Sequence, residues 1–96
     1  MIKPTVGRKV WFWPNAYFQT GPNAMSASSK QPLDATIVFV HGDRMVNLVV
    51  FDSNGKMFPV TSMTLKQEGD DMAEGMAYAE WMPYQINQAA KESAVA

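Results

Sequence analysis

Hydrophobic and polar positions between residues 35 and 65 follow three consecutive short runs. Thr36–Val40, Met45–Phe51 and Met57–Leu65 are rich in β-branched and aromatic residues, and turn-forming residues separate them. The two connections are His-Gly-Asp and Asp-Ser-Asn-Gly. Runs of this composition bounded by such turns are typical of β-hairpins. The stretch therefore predicts a three-stranded antiparallel meander, which the rest of the chain must pair with, cover or extend.

The first of these runs is apolar on both of its faces. Ile37 and Phe39 alternate with Val38 and Val40. Because a strand that is covered on both sides has this composition, the run predicts either a tightly curled barrel or a subunit interface.

A period of two also extends through Val6–Trp13 near the start of the chain. It sets Val10 and Phe12 on one face and Trp11 and Trp13 on the other. The face with valine and phenylalanine is the natural core face of a first strand. Two tryptophans exposed on the opposite face are unusual on a monomer and indicate a surface for a ligand or a partner.

The end of the chain predicts one more strand and a helix. Ala79–Met82 has the composition of a short strand. Proline is tolerated in the first turn of a helix, so Pro83 is expected to begin one that reaches Lys91. Together these elements predict a mostly β fold, a small SH3-like barrel or meander of about five strands with a short C-terminal helix.

Residues 1–96 are expected to form a single domain, since this length suits one core and leaves no room for two. Within it we expect a long irregular loop at residues 15–31, an acidic loop at residues 66–78 and a frayed tail at residues 92–96. The chain has no cysteine, which excludes disulfides and thiolate metal sites. No run is apolar over the length that spans a bilayer, so no membrane partner is expected.

Charge is unevenly distributed, although the net charge is only −1. Up to Lys66 there are seven basic and three acidic residues, and after it there are one basic and six acidic residues. A mildly basic body suits an anionic ligand, but its charge is too weak to indicate a nucleic-acid polymer as the partner.

Few residues can support catalysis. His41 is the only histidine, and without cysteine or a second histidine the common zinc sites are absent. A turn explains His41 and Asp43 more simply than a catalytic triad with Ser62 does. No Gly-rich phosphate loop occurs. We therefore expect a protein that is not an enzyme and that holds no metal ion or cofactor.

A binding module fits the residues better. Aromatic side chains offer flat faces on which bases stack, and each stacked base is worth roughly 1–3 kcal/mol in single-strand binders. Arginine binds phosphates bidentately, and amides or hydroxyls can bond base edges and ribose. Three alternatives stay open: Trp81 as a core residue, Trp11 and Trp13 as an oligomer interface, and Asn47 as a structural residue. The candidate ligand-binding residues are Arg8, Trp11, Trp13, Arg44, Asn47, Ser62, Trp81, Tyr84 and Gln85.

Several sequence blocks spread over nearly the whole chain carry a resemblance. The most specific is Trp81-Met-Pro-Tyr-Gln85, and the others include Pro4-Thr-Val-Gly-Arg8, Val46-Asn-Leu-x-Val-Phe-Asp52 and Gln67-Glu-Gly-Asp70. With these blocks the chain resembles a family of small bacteriophage proteins. Similar phage β-barrel oligomers act as nucleotide sponges, which sequester the cyclic oligonucleotide signals of bacterial anti-phage defence.

The resemblance implies a phage-encoded, non-catalytic anti-CBASS protein in the cytoplasm of the infected bacterial host. Such a protein binds a cyclic dinucleotide such as cyclic GMP–AMP without hydrolysing it. Because a small barrel has little interior, the expected site is a pocket between the subunits of a homo-oligomer, edged by Trp11 and Trp13. The alternative is a phage accessory or structural domain that holds a protein partner through the same exposed aromatic face.

Overall fold

The strands predicted from the sequence close into a five-stranded barrel. A computed structural model describes the backbone of residues 1–95 and the side chains of residues 1–91. The frayed tail predicted at residues 92–96 falls outside the described side chains, and Ala96 falls outside the described backbone. In chain order the elements are β1 (Lys9–Trp13), a 3-10 helix (Ala16–Gln19), β2 (Leu33–Gly42), β3 (Met45–Phe51), β4 (Met57–Lys66), β5 (Tyr78–Glu80) and α1 (Pro83–Val95).

Barrel closure depends on the shortest strand. β1, β2, β3 and β4 pair in sequence order, each antiparallel to the next. β5 then pairs antiparallel with β1 and parallel with β4. The predicted fold class, a mostly β, SH3-like barrel with a short C-terminal helix, is therefore confirmed.

β1 begins at Lys9, later in the chain than the alternation from Val6 predicts. Gly7, at φ +95°, and a hydrogen bond from the Arg8 N–H to the Thr5 carbonyl (3.3 Å) form a tight turn before the strand. The positive φ is available to glycine without steric cost. Within the strand, Val10 and Phe12 are fully buried. The alternation thus assigns the core face correctly, but only from the end of the turn onward.

A β-bulge interrupts the pairing of β2 with β3. Ile37 pairs with Leu48 and Phe39 pairs with Asn47, which leaves Val38 without a partner. The extra residue shifts the alternation by one position. Val38 and Phe39 are consequently both exposed, at 45% and 53%. In a single chain β2 is therefore covered on one face here, whereas its composition predicts cover on both.

One hydrophobic cluster fills the barrel. It takes inward-facing residues from all five strands, together with Met25 from the loop after β1, Ala77 from the loop before β5 and Trp81 from the segment before α1. Burying an aliphatic or aromatic side chain of this size stabilises the fold by roughly 1.5–3 kcal/mol relative to leaving it in water. The strand residues of the cluster are Val10, Phe12, Leu33, Ala35, Ile37, Val46, Leu48, Val50, Phe58, Val60, Leu65 and Ala79.

The loop between β1 and β2 is fixed to the barrel at two places. Phe18 lies edge-on to Phe12, with 5.4 Å between the ring centroids, and Met25 is buried. Further on, the Ser26 N–H donates to Asp52 Oδ2 (3.1 Å) in the turn between β3 and β4. That hydrogen bond, together with two more from N–H groups of the same turn, holds the pKa of Asp52 below its usual value.

Candidate functional site

An open groove of about 1000 Å³ lies between the N-terminal segment, residues 1–5, and the first two turns of α1. The residues at the start of β1 complete its lining. We call it the basic groove. Its polar lining residues are Lys3, Thr5, Arg8, Lys9, Tyr84, Gln85 and Gln88.

The charge of the basic groove is opposite in sign to that of the whole chain. Among the residues whose side chains are described, three basic and no acidic ones line it, whereas the net charge of the chain is −1. The Lys9 ammonium lies 3.1 Å from Asp34 Oδ2, so its charge is partly neutralised. Lys3 and Arg8 form no ion pair within the part of the chain that the structure describes. The groove therefore attracts an anion.

Arg8 is positioned by an aromatic ring rather than by an acid. Its guanidinium carbon lies 5.9 Å from the centroid of the Trp81 ring. A cation over a tryptophan face is attracted to the ring without losing its charge. Trp81 itself is buried at 2% exposure, so its predicted role in ligand stacking is replaced by a place in the core beneath Arg8.

The amide of Gln67 fixes the N-terminal wall of the groove. Its Oε1 accepts hydrogen bonds from the Ile2 N–H (3.1 Å) and the Trp81 indole N–H (3.2 Å). Its Nε2 donates to the carbonyls of Ile2 (2.9 Å) and Asp43 (2.8 Å). A side-chain amide has two donor hydrogens and two acceptor lone pairs, so all four positions are used. The N-terminal segment is thereby tied to the β2–β3 turn and to the core.

The helical wall of the groove is fixed by a second amide. Gln85 Oε1 accepts a hydrogen bond from the Met82 N–H (2.9 Å) just before α1 begins. Gln85 Nε2 donates to the Lys9 carbonyl (2.9 Å) on β1. Gln85, one of the predicted ligand-binding residues, therefore orients the helix, while Tyr84 beside it is 68% exposed.

The other predicted ligand-binding residues lie away from the groove. Arg44 donates to both carboxylate oxygens of Asp70, at 2.8 and 3.1 Å. This bidentate pair, with a further hydrogen bond from the Gln67 N–H, lowers the pKa of Asp70. The same pair raises the pKa of Arg44. The guanidinium predicted to bind phosphate is thus already occupied by a carboxylate.

Asn47 and Ser62 meet at a bulge between β3 and β4. Asn47 Oδ1 accepts a hydrogen bond from the Ser62 N–H (2.7 Å) and lies 2.9 Å from His41 Nε2. Ser62 adopts φ +51°, the left-handed region. Asn47 therefore stabilises a bulge, which agrees with the structural alternative that its sequence context allowed.

Trp11 and Trp13 lie on the outer face of β1 and are half-buried. Trp11 is opposite Asp34 on β2 and Glu80 on β5. The Trp13 indole N–H donates to the Glu80 carboxylate. Asp34 is partly neutralised by its ion pair with Lys9, so the Glu80 carboxylate is the group beside this tryptophan pair that disfavours an anionic ligand in the single chain.

Of the predicted set, the structure brings together Arg8, Tyr84 and Gln85, with Trp81 beneath Arg8. Its polar lining also includes four residues outside the predicted set, namely Lys3, Thr5, Lys9 and Gln88. Gln88 is four residues after Tyr84, so the helical repeat offered a signal for it. Lys3 lies in an extended segment without periodicity, and no pattern pointed to it.

No family model, curated protein or solved structure matches this chain. Its function must therefore be inferred from the geometry of the groove, and the resemblance seen in the motifs stays an expectation. Within residues 1–91, whose side chains are described, no group of three or more His, Cys, Asp or Glu residues is arranged to hold a metal ion. Over the same range, no helix combines the length and the apolar character needed to cross a membrane.

The groove offers binding groups rather than a proton-transfer pair. Up to Lys91, where the described side chains end, no histidine, aspartate or glutamate lines it. Lys3 and Arg8 supply positive charge, Tyr84 supplies an exposed aromatic face, and Gln88 supplies an amide. This combination suits a ligand that carries both phosphate and a flat ring.

Proposed function

We propose that this protein is a non-catalytic binding protein that sequesters a cyclic oligonucleotide, with the basic groove as its site. The observation that carries the proposal is the electropositive lining of the groove next to an exposed tyrosine, in a chain of net charge −1. Arg8 and Lys3 would bind phosphate oxygens, and Tyr84 would stack on a base.

The specific ligand class that we propose is a cyclic dinucleotide such as cyclic GMP–AMP. Such a ligand has two phosphates and two bases, so it can use the cations and the aromatic face together. The volume of the groove, about 1000 Å³, lies at the upper end of small-molecule sites. In this proposal the protein is phage-encoded, acts in the host cytoplasm and withholds an immune signal from anti-phage defence.

Sequestration also favours a homo-oligomer in our proposal. The groove is open along one side, and a ligand held only by one chain would leave much of its surface in water. A second copy over the groove would enclose the ligand and remove its phosphates from competing water. The proposed oligomer therefore forms part of the binding site.

Native mass spectrometry with cyclic di-AMP, cyclic di-GMP and cyclic GMP–AMP tests the proposal. We expect a discrete complex whose mass gives the number of chains and ligands, and nucleotide that is recovered unchanged. Arg8→Ala should weaken binding by about tenfold or more, because it removes a charged hydrogen-bond donor. Lys56→Ala, which removes the same charge outside the groove, is the matched control. Absence of any complex, or equal binding by Arg8→Ala, would contradict the proposal.

A second candidate function rests on the outer face of β1. A half-buried aromatic surface there consists of Trp11, Trp13 and Tyr78. Tyr78 lies on β5, directly opposite Trp13 on β1. Aromatic side chains are enriched where proteins bind one another. We propose as the alternative that this surface holds a protein partner of a phage accessory or structural domain. Retention of a bound protein by the native chain and its loss in Trp11→Ala would favour this alternative.

A further inference from the structure

We infer that the outer face of β1 and β5 binds the guanidinium group of an arginine on a partner protein, at Trp11, Trp13 and Glu80. We call these three residues the acidic indole patch. The inference does not involve the basic groove, so it is independent of the proposed cyclic oligonucleotide. It rests on the second candidate function, because it names the chemistry of the partner that this surface holds.

The first step is the pairing of β1 with β5. Glu80 lies directly opposite Trp11, and the Trp13 indole N–H donates to the Glu80 carboxylate. The residues that alternate with them, Phe12 and Ala79, are fully buried. The three patch residues therefore share the outer face, where each of them is half-buried.

The second step is the unpaired charge of Glu80. Its Oε2 accepts the hydrogen bond from Trp13, and its Oε1 accepts none from the described residues. Neither of the two ion pairs found among the described side chains includes Glu80. A carboxylate that is partly removed from water interacts more strongly with an opposite charge, so the patch favours a cation.

The third step is that the neighbouring lysines lie over other rings. Lys9 Nζ is 5.2 Å from the centroid of the Phe51 ring, and Lys66 Nζ is 5.9 Å from that of Tyr78. No lysine or arginine whose side chain is described lies over either tryptophan of the patch. Tryptophan attracts a cation more strongly than phenylalanine or tyrosine does, so the patch offers the stronger rings to a cation from outside.

The fourth step is the choice between a guanidinium and an ammonium. A guanidinium is planar, stacks on aromatic faces and has five N–H donors. It can therefore lie against an indole while it donates a charge-assisted hydrogen bond to Glu80 Oε1. The ammonium of lysine is compact and more strongly hydrated, so it loses more on entering a half-buried site.

The fifth step is the source of the arginine. This chain has two arginines. Arg44 is held by both carboxylate oxygens of Asp70, and Arg8 lies over Trp81. A second copy must break one of these contacts to supply a guanidinium, whereas a partner protein with an exposed arginine breaks none.

Nuclear magnetic resonance of the indole N–H groups tests the inference on the full chain. The three tryptophans give three indole signals, which Trp11→Phe and Trp13→Phe assign. The probe is the peptide Gly-Ser-Arg-Ser-Gly with blocked termini, compared with peptides that carry lysine or the neutral isostere citrulline instead. We expect the arginine peptide to shift the Trp11 and Trp13 signals saturably. The Trp81 signal should stay in place, because its N–H is bonded to Gln67 in the core.

The two other peptides and one pair of variants separate recognition from general charge attraction. The lysine peptide should bind about threefold more weakly, and the citrulline peptide should give no saturable shift. Glu80→Gln should weaken binding of the arginine peptide about fivefold, because a neutral acceptor replaces a charged one. Glu74→Gln removes the same charge from an exposed position in the loop before β5 and should leave the affinity unchanged. An unshifted Trp81 signal shows that each variant keeps its fold.

Three outcomes overturn the inference: equal binding of the three peptides, equal binding by Glu80→Gln, or no shift of either patch signal. An oligomer of the native chain that Glu80→Gln dissociates also overturns it, because the arginine then comes from a second copy. If no peptide binds but Trp11→Ala loses a protein that the native chain retains, the second candidate function stands and only the arginine is wrong. If neither occurs, both fail.

Discussion

The side-chain amide of Gln67 and the indole of Trp81 are joined by a hydrogen bond of 3.2 Å in the interior of the barrel. Gln67 is only 2% exposed. The same amide bonds to the backbone of Ile2 and Asp43, so it connects three parts of the chain that are distant in sequence. A buried amide with all its hydrogen bonds satisfied stabilises one arrangement of the segments around it.

Gln67→Leu should therefore destabilise the fold strongly. The substitution leaves the Ile2 N–H, the Trp81 N–H and two carbonyls without a buried partner, and unsatisfied groups of this kind together cost about 2–4 kcal/mol. Urea denaturation monitored by tryptophan fluorescence measures the change. Gln31→Leu, at an exposed glutamine, is the matched control. A change below about 0.5 kcal/mol, the range typical of surface substitutions, would contradict the role of the network.

Acid should reduce the stability of the fold through two carboxylates. The pKa values of Asp52 and Asp70 are both lowered in the folded state from the ordinary value of 3.8. The stabilisation that they provide is therefore complete above that value, and it is lost as the pH falls through the lower folded pKa values. Urea midpoints measured from neutral pH down to about pH 3 follow this loss.

A double variant that carries both Asp52→Asn and Asp70→Asn identifies the source of that acid sensitivity. Its urea midpoint should depend less on pH than that of the native chain, because neither position can titrate. Asp71→Asn, at a carboxylate that accepts no hydrogen bond among the described residues, should keep the native dependence. Parallel curves for the native chain and the double variant would show that the acid sensitivity arises elsewhere.

Trp11→Ala should leave the affinity for cyclic dinucleotides within about twofold of the native value. Trp11 lies between Asp34 and Glu80 on the outer face of β1 and does not line the basic groove. Calorimetric titration of the folded variant checks this. Loss of binding in a variant that keeps its fold would move the site to the outer face, where the sequence interpretation expected an intersubunit pocket.

Ser62→Gly should stabilise the protein modestly. Ser62 has φ +51°, a conformation that costs a non-glycine residue about 1–2 kcal/mol. Glycine removes that cost but loses more conformational entropy on folding, so a net gain of about 0.5 kcal/mol is expected. Thr61→Gly, next to it in β4 and without a positive φ, should be destabilising. Thermal denaturation of the two variants compares them directly, and equal effects would contradict strain at Ser62.

The strands could be predicted from the sequence wherever alternation is uninterrupted. β3 begins and ends at the predicted residues, Met45 and Phe51, because every second residue faces the core. β2 is longer than predicted and contains a bulge at Val38. A bulge depends on how two strands pair, so the composition of one strand alone does not predict it.

The candidate site was only partly predictable for a related reason. Arg8 and the Tyr84–Gln85 pair come from opposite ends of the chain, and only barrel closure brings them together. The burial of Gln67 has no signal in the sequence, because a single polar residue at the start of an acidic stretch has no periodicity. The charge of Arg44 predicts a phosphate contact, but its pairing with Asp70 depends on the fold of the loop after β4.

The three-residue strand β5 has a consequence for the order in which the protein can fold. It joins β1 to β4, and its partner in β1 lies more than sixty positions earlier, as in the pairing of Trp11 with Glu80. Such distant contacts form slowly, because the intervening chain must first be brought together. During synthesis, β5 must therefore leave the ribosome before β1 can pair with it. Until then the nascent chain has a meander with an unpaired β1 edge, a state open to association with other chains.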